Sequence, residues 1–98
     1  MKLTLICSGG MSTSWIVNKI KEYASENEPD LQLNAFGLLD YLPAAKEADV
    51  ILLGPQIGYY KEKIAHRTGK PVDVISSRDY ATANIAGIVQ QAKSLIPS

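Results

Sequence analysis

The sequence predicts an α/β protein, a four-stranded parallel sheet of order 2-1-3-4 with helices on both faces. Two observations predict it. Short apolar runs alternate along the chain with stretches of helical periodicity, the pattern of strands joined by crossover helices. One run, Val50-Ile51-Leu52-Leu53, has no polar position at all, as expected of a central strand covered on both faces. In such sheets ligands sit beyond the carboxyl ends of the strands, where the strand order reverses. With the order 2-1-3-4 that place lies at the end of strand 1.

Residues 2–6 make the first strand, an apolar stretch too short for a helix. From about Ser12 to Ser14 onward, Ile16, Val17, Ile20, Tyr23 and Ala24 recur at helical spacing, and the helix is expected to end near Asn27, before Pro29. Trp15 falls opposite that apolar face, beside Lys19 and Glu22. It marks either a docking surface or a partly covered ring that contributes local packing. Residues 31–36 alternate and read as an edge strand broken by Gly37. Residues 38–47 suit a short helix with Pro43 in its first turn. After the third strand, Gly54-Pro55-Gln56 leads to a helix from about Ile57 to Arg67, closed by Gly69 and Pro71. Residues 72–75 form the fourth strand and residues 76–80 a loop. A last helix is expected from Tyr80 or Ala81 to Leu95, with Ile85, Ile88, Val89, Ala92 and Leu95 on one side. Gly87 in its middle lowers its propensity unless it allows close packing on the sheet.

The 98 residues are expected to make one domain, 1–98, with 46% hydrophobic content as in ordinary globular proteins. Ten basic residues balance ten acidic ones, which gives no footprint for nucleic acid or an anionic membrane surface. A single cysteine excludes an internal disulfide framework and a cysteine-based zinc cluster, and suits a reducing compartment. The first residues are too short in apolar length for a signal peptide, and no run approaches a membrane span, so a cytosolic protein is expected. Neither a nucleotide-binding GKS or GKT run nor a carboxylate–histidine cluster is present, so no metal or other cofactor is expected. His66, the sole histidine, reads as a solvated group late in the third helix.

The stretch that carries chemistry is Cys7-Ser8-Gly9-Gly10-Met11-Ser12-Thr13-Ser14, between the first strand and the first helix. Small residues and glycines let an anion approach converging backbone N–H groups, and the helix adds its unpaired first-turn amides. The same field favours the thiolate of Cys7, since thiols at helix N-termini have pKa values of about 3.5–7.5. Cys7 is the candidate nucleophile and residues Ser8 to Ser14 the candidate phosphate-binding loop. The plainer alternative is a small buried hydrophobe followed by a turn.

Cys7 to Thr13 spans the interval of the Cys-x5-Arg-Ser/Thr loop of protein tyrosine phosphatases, and the predicted fold is similar to that of the small tyrosine phosphatases. In those enzymes an arginine forks onto the phosphoryl group and an aspartic acid protonates the leaving group. Thr13 stands at the arginine position here, so the loop stabilises a hydrolytic transition state poorly. Asp79 has the place of an acid, but beside Arg78 it also reads as a helix cap or a solvated charge. A cysteine that accepts phosphate and hydrolyses it slowly is a carrier.

Cys7 to Ser14, residues 50–57 (Val-Ile-Leu-Leu-Gly-Pro-Gln-Ile) and residues 70–75 (Lys-Pro-Val-Asp-Val-Ile) together resemble the B component of the bacterial phosphoenolpyruvate-dependent sugar phosphotransferase system. The lactose/cellobiose (chitobiose) type matches best, over essentially the whole chain. Gly9 stands where members often have serine or alanine, and Trp15 replaces a usual aliphatic residue. The resemblance implies a phosphotransferase in a relay. Cys7 takes phosphate from a phosphohistidine of the A component and gives it to a β-linked disaccharide brought in by the membrane C component. It implies a phosphate loop at Ser8, Gly9, Gly10, Met11, Ser12, Thr13 and Ser14, and docking at Pro55, Gln56 and the Tyr80 region, beside Trp15. It also implies a cytoplasmic location, at the inner membrane face when docked. No apolar stripe remains unassigned, so a monomer with transient docking is expected. The alternatives are a cysteine-dependent phosphatase-like enzyme and a regulatory module that senses phosphate without covalent chemistry.

Overall fold

The computed structural model of the chain describes residues 1–7 and 14–96, Ser14 in its backbone alone. In order the elements are β1 (Lys2–Cys7), α1 (Ser14–Asn27), β2 (Gln32–Gly37), α2 (Leu42–Ala45) and β3 (Val50–Leu53). There follow a 3-10 turn (Pro55–Tyr60), α3 (Lys61–Thr68), β4 (Val72–Val74), α4 (Ser77–Ala81) and α5 (Ile85–Ser94). The sheet is parallel, of order β2-β1-β3-β4, with Cys7 opposite Gly37 and Ile6 opposite Leu53. All the strands therefore end at one edge of the sheet, with Cys7 where the order reverses.

The two sides of the sheet divide the core. Leu3, Leu5 and Cys7 of β1 and Val50 and Leu52 of β3 pack against Ile16 and Ile20 of α1 and Ile88, Val89 and Ala92 of α5. Ile6, Ile51 and Leu53 pack on the other side with Ala45 of α2, Ile57 of the 3-10 turn and Ile64 of α3. Every residue of β3 is buried, which is why its run carries no polar position. Truncating any of Ile51, Leu52 or Leu53 to alanine leaves a cavity costing about 2–5 kcal/mol. β1 and β3 are tied at their starts as well. The Lys2 amide donates to Asp49 Oδ2 at 2.7 Å and the Asp49 amide to the Lys2 carbonyl at 2.8 Å.

Several expected elements take a different form. Gly37 ends β2 as its last residue rather than breaking it. Most of residues 38–47 is turn, and only Leu42–Ala45 is helical. The helix expected from Ile57 begins as a 3-10 turn at Pro55, because Ile57 has non-helical angles (φ −120, ψ 24), and the α-helical part is Lys61–Thr68. It closes on Gly69 at φ 69, a left-handed cap that glycine adopts without strain. The expected loop at residues 76–80 is mostly helix. Ser76 Oγ accepts the Asp79 amide at 3.0 Å and caps α4. The single last helix is two helices, parted by Ala83 at φ 52 and restarted by Asn84, whose Oδ1 accepts the Gly87 amide at 3.3 Å. Gly87 thus makes room for the capping side chain rather than for the sheet, since a Cβ there would lie 2.5 Å from Asn84 Nδ2.

Candidate functional site

Cys7 is the last residue of the central strand β1 and is 5% exposed, its side chain on the α1/α5 side. The next residue along the neighbouring strand path, Gly54, follows β3 directly and donates its amide to the Ile6 carbonyl at 2.9 Å. That bond continues the β1–β3 ladder past Leu53 and sets Gly54 against the thiol. A Cβ built on Gly54 would stand 3.4 Å from Cys7 Sγ and 3.1 Å from Gln56 Oε1. The side chain of Gln56, an exposed residue, therefore turns back over Gly54, so that its Oε1 and the thiol border the same space. Pro55, half-buried, opens the 3-10 turn that carries Gln56.

From the other side comes Tyr80 of α4, half-buried and packed on the core that includes Cys7. Burial, and next the negative charge of Cys7, push the Tyr80 phenol above its ordinary range, so it stays a neutral hydroxyl at physiological pH. Trp15, in the first turn of α1, meets Tyr80 edge to face, with ring centroids 6.1 Å apart and planes at 78°. It remains 39% exposed. Trp15 therefore packs on a neighbour, as the local-packing reading expects, and still presents part of its ring to solvent. The structure thus brings Cys7, Gln56 and Tyr80 together, with Trp15 at the rim. Of the expected phosphate loop, Ser14 begins α1, and Ser8, Gly9, Gly10, Met11, Ser12 and Thr13 lie outside the described residues.

Asp79 is bound up in the joint between α4 and α5. Its Oδ1 accepts Asn84 Nδ2 at 3.1 Å and its carbonyl accepts the Asn84 amide at 2.9 Å. That accounts for it structurally. His66 is exposed in the last turn of α3. Among the described residues no cluster of three His, Cys, Asp or Glu side chains is placed to hold a metal ion, and no helix is long and apolar enough to cross a membrane. Sequence reasoning passed over Gly54 as a site residue, though its position straight after a buried strand was visible. It also passed over Leu39 and Tyr59, which follow β2 and β3 in the chain and are 97% and 78% exposed.

A family model described as "PTS system, Lactose/Cellobiose specific IIB subunit" matches residues 2–91. The galactose-specific EIIB component of Lactococcus lactis subsp. cremoris is 32% identical over 102 aligned positions, covering 96% of this chain and 94% of that protein. The oligo-beta-mannoside-specific EIIB component of Bacillus subtilis is 36% identical and covers 97% of this chain and 95% of its own length. Among solved structures, the cellobiose-specific IIB component of Borrelia burgdorferi superposes with a TM-score of 0.79 at 29% identity. It covers 98% of this chain and 91% of that one. The lactose-specific IIB domain of Streptococcus pneumoniae has the same fold, with a TM-score of 0.78 at 20% identity over 94% of this chain and 96% of that one. IIB components are phosphotransferases that act with IIA and IIC components of one system. This chain belongs to the lactose/cellobiose-specific IIB family of the sugar phosphotransferase system.

Proposed function

We propose that the chain is a phosphocysteine carrier, with Cys7 as the residue that holds the phosphoryl group. The observation that carries this reading is the position of the thiol, at the carboxyl end of the central strand and at the reversal of strand order, seven positions before the first residue of α1. In the first step the Cys7 thiolate attacks the phosphorus of an N-phosphohistidine on the A component. The S–P bond forms, the P–N bond breaks, and the imidazole keeps the electron pair and takes up a proton. In the second step a hydroxyl oxygen of the sugar attacks the same phosphorus. The S–P bond breaks, the thiolate leaves, and the hydroxyl proton passes to a base beside the acceptor. Both donors are high-energy links, so the protein has only to align the groups and neutralise the equatorial oxygens.

The acceptor is a β-linked disaccharide of the cellobiose, lactose or chitobiose class, held by the membrane C component. The description of the matching family supports that class. The backbone amides of Ser8 to Ser14 serve as the phosphate cradle. Docking falls on the rim made by Trp15, Pro55, Gln56 and Tyr80.

Intact mass of the wild-type chain and of Cys7→Ser, after mixing with a phosphohistidine-charged A component, tests the reading. One phosphoryl group is expected on the wild type alone, and it returns to excess uncharged A component. No gain of mass, together with turnover of an aryl phosphate by the chain alone, would replace the carrier with a phosphatase.

A further inference from the structure

Among the described residues, Gln56 has a side chain placed to touch a phosphoryl group carried by Cys7. Its Oε1 and Cys7 Sγ approach one point in space, the place a Cβ on Gly54 would occupy, at 3.1 and 3.4 Å. The thiol is buried and Gln56 is an exposed residue, and both reach the space above Gly54. The oxygen and nitrogen of the Gln56 carboxamide exchange places by a half-turn of the terminal torsion, which puts Nε2–H where Oε1 now lies. We infer that Gln56 donates a hydrogen bond to the phosphoryl oxygens on Cys7 and that Gly54 exists to keep its path open. This deepens the carrier reading and rests on it.

A carboxamide suits this position chemically. It neither gives up nor takes a proton during transfer, and it adds a donor without adding charge. The group stays on the oxygens while the S–P bond forms and while it breaks, so it serves both halves of the relay. It supplies the side-chain contact that Thr13, standing at the phosphatase arginine position, lacks the charge to make. The docking role expected for Gln56 is a different claim, and the two part experimentally.

The test uses the full chain, phosphorylated by a charged A component, as wild type, Gln56→Ala and Gln56→Glu. Phosphorus NMR follows the second ionisation of the phosphocysteine with pH, and stopped transfer reactions give the rates. Loss of a donor to the dianion raises that ionisation midpoint in Gln56→Ala. A carboxylate raises it further in Gln56→Glu. Transfer slows in both, by about 10-fold or more for the alanine, the loss expected for one hydrogen bond to a charged group. Slower transfer with an unmoved midpoint would assign Gln56 to docking and overturn the inference. Unmoved midpoints and rates would overturn it as well. A wild type that takes no phosphate on Cys7 would bring down the carrier reading itself, a result no Gln56 variant can imitate.

Discussion

Replacing Gly54 with alanine should raise stability slightly and slow phosphoryl transfer, two effects of opposite sign from one methyl group. Gly54 has φ −61 and ψ 150, an extended conformation open to any residue, so alanine introduces no backbone strain. Removing a glycine from the unfolded chain favours folding by about 0.4–1 kcal/mol. Against that stands one tight contact. The new Cβ meets Cys7 Sγ at 3.4 Å and Cys7 Cβ at 3.9 Å, both ordinary distances, but Gln56 Oε1 at 3.1 Å. The carboxamide is the end of an exposed side chain and swings aside at little cost, while the buried thiol need not move. A melting temperature from no change to about 8 °C higher follows, since about 1 kcal/mol corresponds to roughly 4–8 °C in a domain of this size. The displaced carboxamide no longer reaches the phosphoryl group, and transfer from a charged A component falls about 10-fold. Thermal unfolding by circular dichroism and stopped-reaction transfer rates on the same preparation read both. A melting temperature more than about 4 °C lower would show that the contact cannot relax. An unchanged rate would show that the space above Gly54 is not used in transfer.

Three further outcomes concern the surroundings of the site. Ala83→Gly relieves the left-handed backbone at φ 52 between α4 and α5 and should stabilise the fold by about 0.5–1 kcal/mol, read in urea unfolding; a loss of stability would mean that the joint holds Ala83 for its side chain. Asp73 feels burial, which raises its pKa. Hydrogen bonds from Gln91 and from the Val74 amide outweigh that, with the charge of Lys61 added, and the net position is lower than usual. A depressed carboxylate pKa stabilises above the unfolded value of about 3.9 and loses that contribution as pH falls through the folded value. Asp73→Asn should therefore be less stable than wild type at pH 7, by about 1 kcal/mol, and match it more closely as pH drops below about 4; a gap independent of pH would discount the charge. In Cys7→Ser the Tyr80 phenol should titrate at lower pH than in the wild type, because the Cys7 charge that helps to raise it is gone while burial, the larger cause, remains. An unmoved Tyr80 midpoint in an NMR titration would mean that the thiolate does not reach the ring.

The parts of this fold legible in the sequence are those where one physical demand dominates. β3 is buried on both faces, so Val50-Ile51-Leu52-Leu53 had to be apolar throughout, and its bounds can be read directly. α1 buries one stripe, and Ile16, Ile20 and Ala24 mark it. The break in the last helix was harder to see because two local signals compete with a strong periodic one. Ser76, three residues before Asp79, and Asn84, three before Gly87, each have the spacing of a helix cap. The apolar positions from Ile85 onward mask the second start, and the positive φ of Ala83 has no sequence signature, since alanine rarely adopts it. The turn at Pro55–Tyr60 is tight because Gly58 lies against β4, where a Cβ would meet Val74 Cγ1 at 3.1 Å. That contact is long-range and leaves no local trace.

At the site the same division applies, and it bears on how a carrier differs from a hydrolase. Cys7, Gln56 and Tyr80 are chemically distinctive residues at or after the ends of three strands, and the parallel topology brings those ends to one edge. Gly54 is different, for its contribution is an empty volume, and glycine after a strand reads as punctuation. Yet that volume decides what approaches the sulfur. An arginine over a phosphocysteine would bind the dianion with a full charge, favour the charge-rich transition state for attack by water, and deepen the well from which the group must next escape. A neutral carboxamide, free to turn and admitted by a glycine, steadies the oxygens with about half the strength of a charged donor. The phosphoryl group then stays exchangeable in both directions, which is the property a relay needs and a phosphatase does not.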